Sequence, residues 1–203
     1  MVEYSFTNYQ DLSSFALFLG ALYFTFQIYC DFSGYSDIAI GISKLFGIDL
    51  IENFNFPYFA KNIGDFWKRW HISLTTWFRD YLYLPLGGSR GSLIFSLRNI
   101  GIVFIVSGFW HGANLTFIFW GLIHVISYIP YFLRKKNPHT KLFSNFIIKN
   151  QVLAPVATFA FVMLSWIFFR SETIGDAWHY LLKLFSFSDG QNPFLNPANN
   201  LNA

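Results

Sequence analysis

The stretch Asn99–Leu133, NIGIVFIVSGFWHGANLTFIFWGLIHVISYIPYFL, contains no Asp, Glu, Lys or Arg. As one helix it would run about 50 Å, well beyond the roughly 30 Å hydrocarbon layer of a bilayer, yet it is too short for two spans joined by a generous loop. It must therefore break. The break is written at Ser107-Gly108-Phe109-Trp110-His111-Gly112-Ala113-Asn114, where two glycines and an asparagine interrupt the apolar run. The reading is one helix ending near His111 and a second running from Leu115 to Leu133.

The rest of the chain agrees with a lipid environment. Of its 203 residues, 54% are apolar, 22% are aromatic and 12% are charged, about half the charged share of a soluble domain. That is too few charged side chains to clothe a water-facing exterior. The uncharged run Leu12–Cys30 lies between Asp11 and Asp31 and reads as a first span of about 28 Å. Ser33–Leu50 carries Gly34, Ser36, Ala39, Gly41, Ser43 and Gly47, small residues that let helices approach closely in lipid, and reads as a separate packed helix. Gln151–Phe169 is a further span, bounded by Lys149 and Arg170, and Ile174–Phe187 reads as a short amphipathic helix before an Asn/Pro-rich tail.

From Asn62 the pattern changes. Trp67, Trp70, Leu74, Trp77 and Tyr81 recur at three- and four-residue steps opposite Arg69, Ser73, Thr76 and Asp80, which predicts one amphipathic helix at the membrane interface. Asn62 suits its N-cap, Asp65 and Arg69 stand at i,i+4, and Pro85-Leu86-Gly87-Gly88 stops it. The fold class is thus all-α: a polytopic transmembrane helical protein with interfacial amphipathic helices. Residues 1–203 form one membrane domain without repeats or linkers. Arg134, Lys135, Lys136, Lys141 and Lys149 concentrate in one connecting loop, which the positive-inside rule places in the cytoplasm of a multi-pass protein of the cell's inner membrane. The basic residues form no long stripe, so the expected partner is the lipid bilayer and not nucleic acid.

Ionisable groups at membrane depth are functional candidates by default. His111 stands at the break, and an imidazole with an ordinary pKa near 6.5 can take a proton from a hydroxyl and pass it to a leaving thiol at neutral pH. The alternative is structural: Gly108 and Gly112 have the spacing of a helix-packing face, and His111 could serve only as a hydrogen-bonding neighbour. His71 lies on the apolar edge of the amphipathic helix, where a lone histidine is more often structural. His124 in mid-span is a weaker candidate, and His139 and His179 look peripheral. No metal-ligand spacing links the histidines. Asp31 and Asp37 could ligate an ion but read better as helix caps at the interface. Cys30, the single cysteine, has no activating neighbour in sequence.

Five runs taken together resemble the membrane-bound O-acyltransferase family. They are Tyr29-Cys30-Asp31-Phe32-Ser33-Gly34-Tyr35-Ser36-Asp37, Glu52-Asn53-Phe54-Asn55-Phe56-Pro57-Tyr58, Phe66-Trp67-Lys68-Arg69-Trp70-His71-Ile72-Ser73-Leu74, Trp77-Phe78-Arg79-Asp80-Tyr81-Leu82-Tyr83-Leu84-Pro85-Leu86-Gly87-Gly88, and Gly108-Phe109-Trp110-His111-Gly112-Ala113. The likeness is greatest to a bacterial branch that includes alginate O-acetyltransferase and the D-alanine transferase for teichoic acid; the Pro85–Gly88 run favours the polysaccharide-acetylating side of it. The resemblance implies a helical membrane fold enclosing a tunnel, with His111 where a cytoplasmic acyl donor meets an acceptor from the far side, and with His71 also important. It implies acetyl-coenzyme A as donor substrate with no bound cofactor, and a hydroxyl of an extracytoplasmic polysaccharide or of a secreted relay protein as acceptor. Trp110 and Asn114 are candidates to shape the pocket of His111; Lys68, Arg69 and Arg79 are candidates to meet phosphates of the donor or of lipid headgroups. Family members are about twice as long, so the chain is expected to be a C-terminal-half fragment clipped at both ends. Rival readings are D-alanyl transfer, a transporter built on Asp31 and Asp37, and a non-catalytic scaffold.

Overall fold

The computed structural model describes residues 1–136 and 150–194. Among them eight α-helices follow in order: α1 (Val2–Thr7), α2 (Ser14–Leu45), α3 (Ile63–Trp67), α4 (Ile72–Phe78), α5 (Leu93–His111), α6 (Leu115–Lys136), α7 (Leu153–Arg170) and α8 (Ile174–Leu184). Four of them, α2, α5, α6 and α7, are long and apolar enough to cross a membrane. Their starts carry the side-chain caps that orphaned N–H groups require: Ser13 Oγ accepts from the Ala16 amide at 3.2 Å, Ser92 Oγ from Phe95 at 3.3 Å and Asn150 Oδ1 from Leu153 at 3.0 Å. The chain is a multi-pass helical membrane protein, and large apolar side chains such as Phe18, Phe26, Ile126 and Val156 lie exposed on the spanning helices because lipid is their solvent.

The break in the decisive stretch falls where expected. Helix α5 ends at His111 and α6 starts at Leu115, and the two pack as an antiparallel hairpin. Small residues set how closely they approach. A Cβ added at Gly108 would strike the backbone carbonyl of Phe117 on α6, and one at Gly121 would lie 2.5 Å from the Phe104 carbonyl oxygen on α5. The close contact is thus a Gly108–Gly121 reciprocity across two helices. Gly112, outside the helix as its C-cap, lies against the Phe117 ring instead.

The core joins the first half of α2 to α3, α6, α7 and α8 through Leu17, Phe66, Trp70, Trp120, Trp166 and Tyr180. Trp120 and Trp166 stack with centroids 5.5 Å apart. Helix α8 buries Ala177, Tyr180 and Leu184 while Trp178 and Leu182 stay exposed, as its amphipathic pattern predicts. Arg134, Lys135 and Lys136 end α6; Lys141, Lys149, His139 and most of the Asn/Pro-rich tail lie outside the described residues.

Four expectations are corrected. The first span and the helix after it are one continuous α2, because nothing between Cys30 and Ser33 breaks the ladder. Asp31 and Asp37 therefore stand in its interior and cap nothing. Gly34 and Gly41 have no described atom within 4 Å of an added Cβ, so no close helix packing is built on them among the described residues. The single amphipathic helix from Asn62 is interrupted at Lys68–His71: α3 ends at Trp67 and α4 begins at Ile72. Trp70 is thereby buried while Trp77 and Tyr81 turn outward. The local signals hold, with Asn62 Oδ1 capping Asp65 at 2.8 Å, Asp65–Arg69 paired at 2.9 Å, and Gly87 and Gly88 at positive φ in the stop.

Candidate active site

Helix α5 carries Trp110 and His111 into the break, and Gly112 then leaves it with an extended backbone. The His111 imidazole is held by aromatic rings: Trp110 and Phe169 at centroid distances of 5.0 Å and Trp120 at 5.6 Å. His71 reaches the same place from the interruption between α3 and α4. Its ring lies 4.5 Å from Phe32 of α2 and 6.2 Å from Trp110. Two imidazoles 40 residues apart in sequence thus flank one indole, itself largely exposed.

His71 has an unusual backbone for a non-glycine residue, φ +44° and ψ +57°, a left-handed conformation that costs on the order of 1–2 kcal/mol. Hydrogen bonds from the Asn53–Asn55 segment grip both sides of it: the Asn55 amide donates to the Arg69 carbonyl and the Ile72 amide to the Asn53 carbonyl, each at 3.0 Å. The His71 Nδ1 atom is buried and unpartnered among the described residues. Burial pushes the imidazole down from its ordinary value to about 4, because a charged ring would lose its hydration there. A depressed pKa keeps the neutral form to lower pH. Carbethoxylation, which requires unprotonated imidazole, is expected to proceed at His71 undiminished to about pH 5 and to fall only towards pH 4; an ordinary imidazole loses half its reactivity near pH 6.5. A midpoint near 6.5, read by mass spectrometry, would show free access of water to the ring.

A cleft of about 550 Å³ opens between α2 and the adjoining ends of α6 and α7. Its aromatic wall is formed by Phe32, Phe117 and Phe169, the rings that touch His71 on one side and His111 on the other. Polar groups line the rest, including Gln27, Asp31, Asn114, Arg170 and Glu172. Both histidines are therefore one ring's thickness from a cavity large enough for a small substrate group.

Of the other candidates, Asn114 lines the cleft and spans its edge: Nδ2 donates to the Glu172 carbonyl at 2.8 Å and Oδ1 accepts from the Thr116 amide at 3.1 Å. Lys68, Arg69 and Arg79 do not line it. Arg69 is held by Asp65 and the Asn55 carbonyl, and Arg79 by Asp80 at 2.7 Å and 3.0 Å. His124 is fully buried, with Nε2 3.2 Å from Ser165 Oγ, in a structural setting between Trp67 and Trp120. His179 is exposed. No group of three metal-ligating side chains occurs among the described residues. Sequence reading did not find Phe32 or Asn53 as neighbours of the site; only their place inside two family-like runs marks them.

Residues 3–171 match the model of the membrane-bound O-acyltransferase family. The chain is 44% identical over 181 residues to a protein of Pseudomonas aeruginosa named "Probable alginate O-acetylase", covering 89% of this chain and 34% of that protein. It is 41% identical over 205 residues to a Helicobacter pylori protein named peptidoglycan O-acetyltransferase, covering 97% and 38%. A teichoic acid D-alanyltransferase of Bacillus subtilis is 36% identical over 160 residues, covering 73% and 40%. The chain spans about a third of the length of the curated relatives it matches.

Proposed function

The chain belongs to the membrane-bound O-acyltransferase family, and from that premise we propose that it carries the reaction centre of an enzyme that moves an acetyl group from acetyl-coenzyme A on the cytoplasmic side to a hydroxyl of an extracytoplasmic polysaccharide or secreted relay protein. The observation that carries this reading is the meeting of His71 and His111 around Trp110, against the wall of one cleft.

In this reaction His111 is the general base. It takes the proton of the acceptor hydroxyl as that oxygen attacks the thioester carbonyl; the C–O bond forms, the C–S bond breaks, and the imidazolium returns the proton to the departing thiolate. Neutral His71, across Trp110, holds a partner of the reacting groups by hydrogen bonding. The aromatic wall keeps bulk water from the thioester, where hydrolysis would compete. Lys68 is exposed and is the proposed contact for donor phosphates or lipid headgroups, with Arg69 and Arg79, which are paired to Asp65 and Asp80, as further candidates. Trp110 and Asn114 shape the pocket. The basic end of α6 supports a cytoplasmic position for that end, and the inner membrane is the proposed location. Acetyl transfer is preferred to D-alanyl transfer because the acetyl-transferring relatives are the more similar, at 41–44% against 36%.

The test is complementation. The full-length gene, placed in a strain that lacks polysaccharide acetylation, is expected to restore ester-linked acetate on the isolated polymer. Ester-linked D-alanine in its place, or no ester at all, would overturn the assignment.

A further inference from the structure

His71 occupies the N-cap position of α4, and an imidazole there offers no oxygen to the free amides of the first turn; its own side chain makes no capping bond. A residue from elsewhere in the chain takes over the task. The Asn53 carbonyl accepts from the Ile72 amide at 3.0 Å, and Asn53 Oδ1 accepts from both the amide (3.2 Å) and the hydroxyl (2.5 Å) of Ser73. Its Nδ2 donates to Ser36 Oγ of α2 at 3.3 Å. One side chain thus fastens the first turn of α4 to α2, the helix that also carries Phe32 against the His71 ring. Phe54, next in sequence, packs on both Phe32 (5.2 Å) and Trp70 (5.0 Å). Nothing else in the described residues caps α4.

We infer that Asn53 is the positioning residue of His71: by capping α4 from a separate segment it holds the left-handed backbone that sets the imidazole between Trp110 and Phe32, a wall of the cleft. Among the described residues it makes no hydrogen bond to either ring, and it acts on His71 through its bonds to Ile72 and Ser73 of the first turn. The inference rests on the reading of His71 as part of an acyl-transfer centre.

In the full-length protein, Asn53→Ala is expected to lower kcat between about tenfold and a hundredfold, as sub-ångström misplacement of a reacting group does, with KM for donor and acceptor unchanged. Asn53→Asp keeps the accepting oxygen and is expected to stay within about threefold of wild type, since the two residues cap equally well. Asn53→Gln displaces that oxygen by one methylene and is expected to fall with the alanine variant; it carries the comparison should Asn53→Ala fail to insert. A readout independent of turnover is carbethoxylation of His71 at neutral pH, expected to rise severalfold in Asn53→Ala and Asn53→Gln and to stay at the wild-type rate in Asn53→Asp. Wild-type kcat and labelling in the alanine or glutamine variant, or an aspartate variant as impaired as they are, would overturn the assignment. If His71→Ala itself retained full turnover, the catalytic reading would fall, while the labelling rates would still decide whether Asn53 holds the ring.

Discussion

Replacing His111 by alanine in the full-length protein is expected to reduce acyl transfer about a thousandfold, the scale of losing a positioned general base, while insertion and folding stay normal. The separation of these two effects follows from the geometry. The imidazole meets its neighbours through ring contacts with Trp110, Trp120 and Phe169, of which Trp120 and Phe169 pack on each other at 5.2 Å and both on Trp166, at 5.5 Å and 5.2 Å. The aromatic frame therefore survives the loss of one member. His111→Gln separates chemistry from polarity, because an amide keeps hydrogen-bonding groups but cannot accept and return a proton at neutral pH. It is expected to be as inactive as the alanine variant. Measured transfer to the polymer by either protein, at more than a tenth of the wild-type rate, would remove His111 from the reaction. A transporter reading predicts the opposite pattern, with His111→Ala tolerated and neutralisation of Asp31 disabling.

The largest effect on stability is expected at the α5–α6 contact. Gly108→Val and Gly121→Val each push a branched side chain against the backbone of the facing helix, at Phe117 and Phe104 respectively. A flexible side chain could swing away; a helix backbone cannot yield without parting the hairpin. Overpacking of this kind costs about 1–3 kcal/mol and more where nothing can relax, and in lipid the loss of close backbone packing adds to it. Thermal unfolding of the detergent-solubilised protein should drop sharply for both. Gly101, on the same helix, has no described atom within 4 Å of an added Cβ, so Gly101→Ala is expected to be neutral or to gain up to about 1 kcal/mol from helix propensity. Equal stability of Gly101→Ala and Gly108→Val would show that the two helices are not in contact as described.

These two sites differ in how far they could be read in advance. The break at Ser107–Asn114 was legible because it follows from length: an uncharged run too long for one span has to turn, and Gly112 and Asn114 are the residues that permit it, while Gly108 stays within α5. The cap at Asn62 was of the same kind, a short polar side chain placed to take an amide three residues on, whereas the caps at Ser13 and Ser92 emerged only with the structure. The pairing of Gly108 with Gly121 was not legible, since a spacing of small residues within one helix does not say which partner fills the groove. Nor was the interruption at His71. The aromatic recurrence from Trp67 to Tyr81 is continuous in sequence, and only bonds to Asn53 and Asn55 override it.

By itself the sequence determined the solvent, most of the spanning helices, the place where the chain turns between α5 and α6 and the histidine that stands there. These depend on composition and on spacings of a few residues, where hydrophobic burial and backbone satisfaction act locally. The tertiary structure alone decided that α2 runs unbroken past Asp31, that Phe32 packs on His71, and that His71 and His111 flank Trp110 while Phe32 and Phe169 stand between them and one cleft. Those outcomes rest on hydrogen bonds and ring contacts between residues far apart in the chain, whose energies no local periodicity records.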